Sequence, residues 1–191
     1  MAGGLWTPPG LKRILIGPDE VTARVWALGR QLSDDYDGRR PVLVGVLTGA
    51  VVFLADLIRA MDIPLECDFM AVSSYGSGTR SSGIVKITAD LGLSIEGRHV
   101  VVVEDIIDSG WTITYLGRNL ETRRPQSLGI CTLLDKAERR EVPVVLDYIG
   151  FTIPNEFVVG YGLDHGGLYR NLPYIAALDL AALDAGGVGS G

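Results

Sequence analysis

Between residues 18 and 35, apolar side chains recur at three- and four-residue spacing: Val21, Val25, Leu28 and Leu32. That spacing places them on one face of a helix opened by Pro18-Asp19. The pattern then changes. Val42 to Leu47 is apolar without alternation, as in a strand buried on both faces, and Ala50 to Met61 continues as an apolar helix. Glu66 to Val72 predicts a further strand anchored by Phe69 and Val72. Val100 to Val103 predicts a fully buried strand, followed by a helix from about Thr112 to Thr122. Ser127 to Leu134 and Val144 to Ile149 predict two more strands, and Phe157 to Val159 a short apolar segment. Apolar runs separated by helices predict an α/β domain whose mainly parallel sheet is covered on both faces. In such sheets ligands bind beyond the carboxyl ends of the strands, here at Thr48-Gly49, at Glu104 to Thr112 and at Lys136.

With 191 residues, 47% of them apolar, the chain suits one domain with a sizeable core, expected over residues 1–185. The tail GGVGSG, residues 186–191, is expected to be disordered. The apolar stretch 41–58 invites a membrane reading, but Gly45, Thr48, Gly49 and Asp56 break it into two shorter pieces. The N-terminus lacks the basic start and apolar run of a signal peptide. SSYGSGTRSSG, residues 73–83, has no apolar residue able to bury it and predicts a long functional loop.

The net charge of −6 argues against a broad electrostatic grip on nucleic acid. Cys67 and Cys131, far apart in apolar runs, are expected to be reduced core thiols of a cytosolic protein. His99 and His165 are too few and too isolated to suggest a zinc site.

The stretch VVVVEDIIDSGWTIT, residues 100–114, carries the most chemistry. Ser109, Gly110 and Thr112 lie where a strand turns into a helix. There glycine lets amides approach a ligand, hydroxyls donate and the helix start attracts anions. This is a cradle for a phosphate. Glu104 and Asp105 accept hydrogen bonds only, which suits sugar hydroxyls or a hydrated divalent cation. A capped helix start would account for one of Asp108, Ser109 or Thr112. It does not account for two adjacent acids after four valines.

VVVVEDIIDSGWT is similar to the phosphoribosyl pyrophosphate-binding motif of type I phosphoribosyltransferases, in the form typical of hypoxanthine-guanine phosphoribosyltransferases. The resemblance runs from about Ile14 to Asp179, through VSSYGSGTRSSG, CTLLDK, IGFTIPNEFVVGYGLD and LYRNLPYI. The short motif alone suits several phosphoribosyltransferases; its combination with LLDK and FVVGYGLD is specific to enzymes of 6-oxopurines. The resemblance implies a central mainly parallel sheet flanked by helices, with a small hood and a flexible loop. It also implies Mg2+-dependent transfer of a phosphoribosyl group from phosphoribosyl pyrophosphate to hypoxanthine and guanine. The products would be IMP or GMP and pyrophosphate, in purine salvage by a cytoplasmic homodimer or homotetramer.

By the same resemblance, Glu104 and Asp105 hold the ribose hydroxyls and help place magnesium, and Asp108, Ser109, Gly110, Trp111 and Thr112 wrap the 5'-phosphate. Asp108 matches the catalytic acid/base. Lys136 matches the donor to the purine 6-oxo group, Phe157 the stacking aromatic and Val158 a backbone contact to the base edge. Asp164 matches a ligand to a second magnesium, and Arg170 a pyrophosphate clamp. Thr48 and Gly49 match the pyrophosphate loop, where the family often holds a cis peptide, here between Leu47 and Thr48. Ser74 and Tyr75 match the flexible loop. Without the motifs around them, Lys136 and Arg170 read as surface cations and Phe157 as core. Thr48 departs from the basic residue of many relatives, which puts a side-chain contribution to pyrophosphate binding in doubt. A xanthine-preferring or broader purine phosphoribosyltransferase is the rival enzyme. A nucleic-acid-binding regulator that senses phosphoribosyl pyrophosphate is the rival of another class, disfavoured by the acidic balance.

Overall fold

The structure, a computed structural model, describes residues 8–74 and 85–185. The amphipathic run at the N-terminus forms α1 (Pro18–Asp35), preceded by β1 (Leu11–Ile16). Pro18 suits the first helical position because its missing N–H has no partner to lose there, and the Gly17 N–H donates to Glu20 Oε2 at 2.9 Å. The stretch with a membrane-like composition resolves into β2 (Val42–Leu47) and α2 (Val51–Ala60). Among the described residues no helix is long and apolar enough to cross a membrane.

Then come β3 (Glu66–Ser74), β4 (Val85–Ala89), β5 (His99–Ile107), α3 (Trp111–Glu121) and β6 (Ser127–Asp135). A single 3-10 turn, Ala137–Arg139, leads on to β7 (Tyr148–Thr152), β8 (Val158–Val159), β9 (Ile175–Leu178) and α4 (Leu180–Ala185). Six strands form the central sheet in the order β4-β3-β2-β5-β6-β7. All are parallel except β4, which runs antiparallel to β3 at the edge. A second, antiparallel sheet of three strands, β1-β9-β8, joins the two ends of the described chain.

The valine run explains the layering. Val101 and Val103 pack on one face with Leu28, Leu32, Phe53 and Leu57 of α1 and α2. Val100 and Val102 pack on the other with Ile113, Leu116 and Leu120 of α3. All four valines are fully buried. Each such side chain contributes roughly 1.5–3 kcal/mol. Because α2 and α3 lie on opposite faces, β2 and β5 are neighbours whose following connections diverge. The crevice beyond their carboxyl ends is the switch point of the sheet.

Several expectations need correction. β5 does not end at Val103 but runs on through Glu104 and Asp105 to Ile107. Its alternation slips at the acid pair: Val103 and Ile106 share the α1/α2 core, while Val102 and Ile107 share the α3 core. The strand expected at Val144 to Ile149 is shifted to Tyr148–Thr152. Val144 and Leu146 pack against the α3 core instead of pairing in the sheet. Ser73 and Ser74 belong to β3, opposite Lys86 and Val85 of β4. Tyr75 and the rest of the expected loop lie outside the described residues, as does the tail 186–191. Cys131 is buried as expected, but Cys67 is exposed.

Candidate active site

Three carboxyl ends meet at the crevice. From β2 comes the turn that carries Thr48 and Gly49, and its Leu47–Thr48 peptide is cis. Thr48 is exposed. Gly49 lies so close to β5 that a Cβ there would overlap the Asp105 carboxylate. Asp105 Oδ1 accepts from the Ile106 N–H at 2.8 Å. Burial pushes Asp105 up to about 6 from an ordinary 3.8; backbone hydrogen bonds and Arg170 draw it down, and Asp164 adds to the rise. Glu104 is buried, and burial followed by the charge of Asp105 holds it well above the usual carboxylate range. Two adjacent acids are thus enclosed where burial makes both harder to ionise.

The connection after β8 closes over this pair. Gly162, at φ +101, is in the left-handed region, and a Cβ there would overlap the Gly49 carbonyl oxygen. Arg170 donates through Nη1 to the Gly162 carbonyl and pairs through Nη2 with Asp164 Oδ1 at 2.7 Å. Asp164 Oδ2 accepts from the Gly167 N–H at 2.8 Å. Thr48-Gly49, Asp105, Asp164 and Arg170 therefore form one contiguous group. Among the described residues, no cluster of three or more His, Cys, Asp or Glu side chains is arranged to hold a metal ion.

A second group forms at the carboxyl ends of β5 and β6. Gly110 caps α3 with φ +91, and the Thr114 N–H donates to its carbonyl at 3.0 Å. Thr112 lies in the first turn of that helix, whose amino end faces the 108–110 turn and attracts anions. The residues after β6 brace this turn: the N–H groups of Glu141 and Val142 donate to the Ser109 carbonyl at 2.9 and 3.2 Å. Trp111 is 41% exposed, and its Nε1–H donates to Glu141 Oε2 at 2.9 Å. The indole is therefore a tie between two segments, which accounts for a large aromatic at the start of α3.

Lys136 is buried, and its N–H donates to the Ile107 carbonyl at 3.0 Å. Burial pulls its ammonium below the ordinary value, Asp108 pulls it back up, and Arg139 adds to the lowering. Arg139 Nε lies 3.1 Å from Asp108 Oδ1, yet that oxygen is shielded from solvent and has no hydrogen-bond donor. The contact is one of charge without alignment. The sequence reading missed Arg139 and Glu141, because AERRE has the composition of a solvated charged run. Their proximity in sequence to Lys136 was the available signal. Arg140 turns the other way and pairs with Asp135.

Phe157 is 39% exposed, with the His165 ring edge-on at 5.3 Å between centroids. Its carbonyl accepts from the Leu178 N–H at 2.9 Å. Val158 is buried in β8 opposite Ala177. A half-exposed ring suits stacking better than the core role its composition suggested. His165, dismissed as an isolated histidine, is its neighbour.

Residues 17–165 match the family model described as phosphoribosyl transferase domain. The chain is 54% identical over 168 residues to the bifunctional protein TilS/HprT of Listeria monocytogenes, covering 88% of this chain and 26% of that protein. It thus spans about a quarter of that relative's length. It is 49% identical over 178 residues to the hypoxanthine-guanine phosphoribosyltransferase of Mycobacterium avium, covering 90% of this chain and 88% of the relative. Among solved structures, it superposes on a hypoxanthine phosphoribosyltransferase from Staphylococcus aureus with a TM-score of 0.87 and 46% identity. That match covers 90% of this chain and 94% of the other.

Proposed function

The chain belongs to the hypoxanthine-guanine phosphoribosyltransferases of the phosphoribosyl transferase family, and we propose on that premise that it moves a 5-phosphoribosyl group from phosphoribosyl pyrophosphate to N9 of hypoxanthine or guanine. The C1'–oxygen bond to pyrophosphate breaks with its electron pair on the leaving group. The N9–C1' bond forms, the purine ring proton passes to Asp108, and the products are IMP or GMP with pyrophosphate.

The observation that carries this reading is Asp108 Oδ1, a carboxylate oxygen shielded from solvent and without a hydrogen-bond donor. The Arg139 guanidinium beside it supplies charge but no aligned hydrogen bond, which leaves the oxygen able to take a donor from a ligand. A purine ring N–H is such a donor, and an ionised carboxylate beside C1' also favours the positive charge that develops on the sugar. Lys136 has donors only and rewards a 6-oxo group; a 6-amino group would face it unpaired. The carbonyls of Val158 and Asp164 are suited to accept from the 2-amino group of guanine and to repel the 2-oxo group of xanthine. Phe157 stacks on the base. Ser109, Gly110, Trp111 and Thr112 hold the 5'-phosphate at the amino end of α3, and the backbone at Thr48-Gly49 with Arg170 holds the pyrophosphate.

Magnesium fits this donor set. Glu104 and Asp105 are enclosed acids raised by burial, and a cation would relieve both. Asp164 would add a carboxylate after loosening from Arg170. Mg2+ is commonly held by one or two carboxylates plus substrate oxygens, and when bound it neutralises charge on a leaving pyrophosphate. A cytoplasmic location and assembly as a homodimer or homotetramer belong to the same reading and rest on the family alone.

The test is kcat/KM on hypoxanthine, guanine, xanthine and adenine with phosphoribosyl pyrophosphate, with Mg2+ and with a chelator. Hypoxanthine and guanine should react, and the chelator should stop both. Xanthine or adenine reacting as well as hypoxanthine would overturn the assignment of the pocket. Absence of transfer to any base would overturn the reaction itself.

A further inference from the structure

Asp56 is the one acid in the apolar helix α2, and no step of the proposed reaction uses it. Its Oδ2 accepts from the Tyr161 hydroxyl at 2.5 Å, and its Oδ1 pairs with Arg59. Tyr161 is remote in sequence and unusual in conformation. It is a non-glycine residue at φ +50, between Gly160 at +98 and Gly162 at +101. Side chains rarely adopt that region, so surrounding contacts must hold it there. Two such contacts are present: the Tyr161 N–H donates to the Leu172 carbonyl at 2.8 Å, and the phenol reaches Asp56. Gly160 and Leu163 exchange backbone hydrogen bonds at 3.1 Å and close the turn.

One side of this turn faces the site. Gly162 packs directly on the Gly49 carbonyl, and its own carbonyl receives Arg170, the partner of Asp164. The other side faces an open cleft of about 280 Å³ lined by Thr22, Val25, Trp26, Asp56, Arg59 and Tyr161. None of those six is among the residues placed in the site, so the Tyr161–Asp56 bond lies behind the turn that covers the pyrophosphate loop. Burial, then the hydrogen bond to Asp56, pushes the Tyr161 phenol up, which keeps it a donor.

We propose that Tyr161 and Asp56 are positioning residues: their hydrogen bond holds the Gly160–Leu163 turn against Thr48-Gly49 and so fixes the backbone groups and Arg170 that receive pyrophosphate. The link to pyrophosphate rests on the functional reading above; the latch itself rests on geometry alone. Neither residue touches substrate. Its signature is therefore selective. Tyr161→Phe and Asp56→Asn should each raise KM for phosphoribosyl pyrophosphate about tenfold, the usual worth of a hydrogen bond to a charged group, and leave KM for hypoxanthine nearly unchanged. The double variant should be no worse than Tyr161→Phe alone, because both changes remove one bond.

Hydrogen exchange read by mass spectrometry tests the latch without substrate. Peptides covering residues 47–54 and 160–164 should exchange faster in either variant, and either one suffices if the other fails to fold. Unchanged exchange in both peptides, or faster exchange with KM for phosphoribosyl pyrophosphate unmoved, overturns the proposal. Wild-type protein that transfers to no purine, while its variants still exchange faster, would sink the functional reading and leave the latch standing.

Discussion

Asp108 Oδ1 and Arg139 Nε lie 3.1 Å apart and are not aligned as a hydrogen bond. The pair joins the end of β5 to the turn after β6 and places a guanidinium beside the carboxylate proposed as the acid/base. Asp108→Asn keeps the shape and removes the proton acceptor. Turnover should fall about 100- to 10,000-fold with little change in melting temperature or in binding of phosphoribosyl pyrophosphate. Near wild-type kcat in that variant would remove Asp108 from the mechanism.

Arg139→Gln separates orientation from chemistry. Partly exposed ion pairs contribute about 0–1 kcal/mol, so kcat should drop no more than about fivefold. Steady-state kinetics on the two variants side by side decides the point. A loss at Arg139 as large as the loss at Asp108 would make the guanidinium part of the reacting centre.

The enclosed acid pair sets a pH dependence. Asp105 titrates at about 6 in the fold against an ordinary 3.8, so the folded state holds the proton more tightly than the unfolded chain. Its stability contribution is complete below the ordinary value and is lost as pH rises through about 6. Glu104 is shifted the same way. Glu66, Asp90 and Glu156 are shifted down, so they are ionised in both states above the ordinary carboxylate range. In ligand-free protein the melting temperature should therefore fall as pH rises from about 5 to just above 6, and Asp105→Asn should flatten the fall. An unchanged slope in that variant would refute the assignment to Asp105.

Trp111 reports on the turn proposed to hold the 5'-phosphate. Its indole N–H is tied to Glu141, whose backbone N–H holds the Ser109 carbonyl. Glu141→Ala should shift tryptophan emission even without ligand. Adding IMP to the wild type should change emission through Trp111, and Trp111→Phe should abolish that change while Trp26 remains. A full IMP response in Trp111→Phe would mean that the 5'-phosphate binds elsewhere.

Much of the sheet is local in origin and was legible as such. Val42–Leu47 and the start of β5 are short apolar runs without alternation, which suits strands buried on both faces. α1 follows from the spacing of four apolar residues, and the chemistry of residues 104–112 from the order of acids, glycine and hydroxyls. Periodicity states which side chains are buried; it does not name their partners. Nothing in LKRILI or IAAL announces that these segments pair across some 160 residues, in the sheet whose third strand, β8, leads into the turn that packs Gly162 on Gly49. The apolar run 144–149 reads as a strand, yet Val144 is drawn off to cover Gly110 and the pairing moves to residues 148–152. Arg139 and Glu141 read as solvated charges because their partners, Asp108 and Trp111, come from another strand end. Residue types thus determined which chemistry the chain could perform; long-range contacts decided which groups share a site, since side-chain proximity depends on chain crossings that local spacing does not encode.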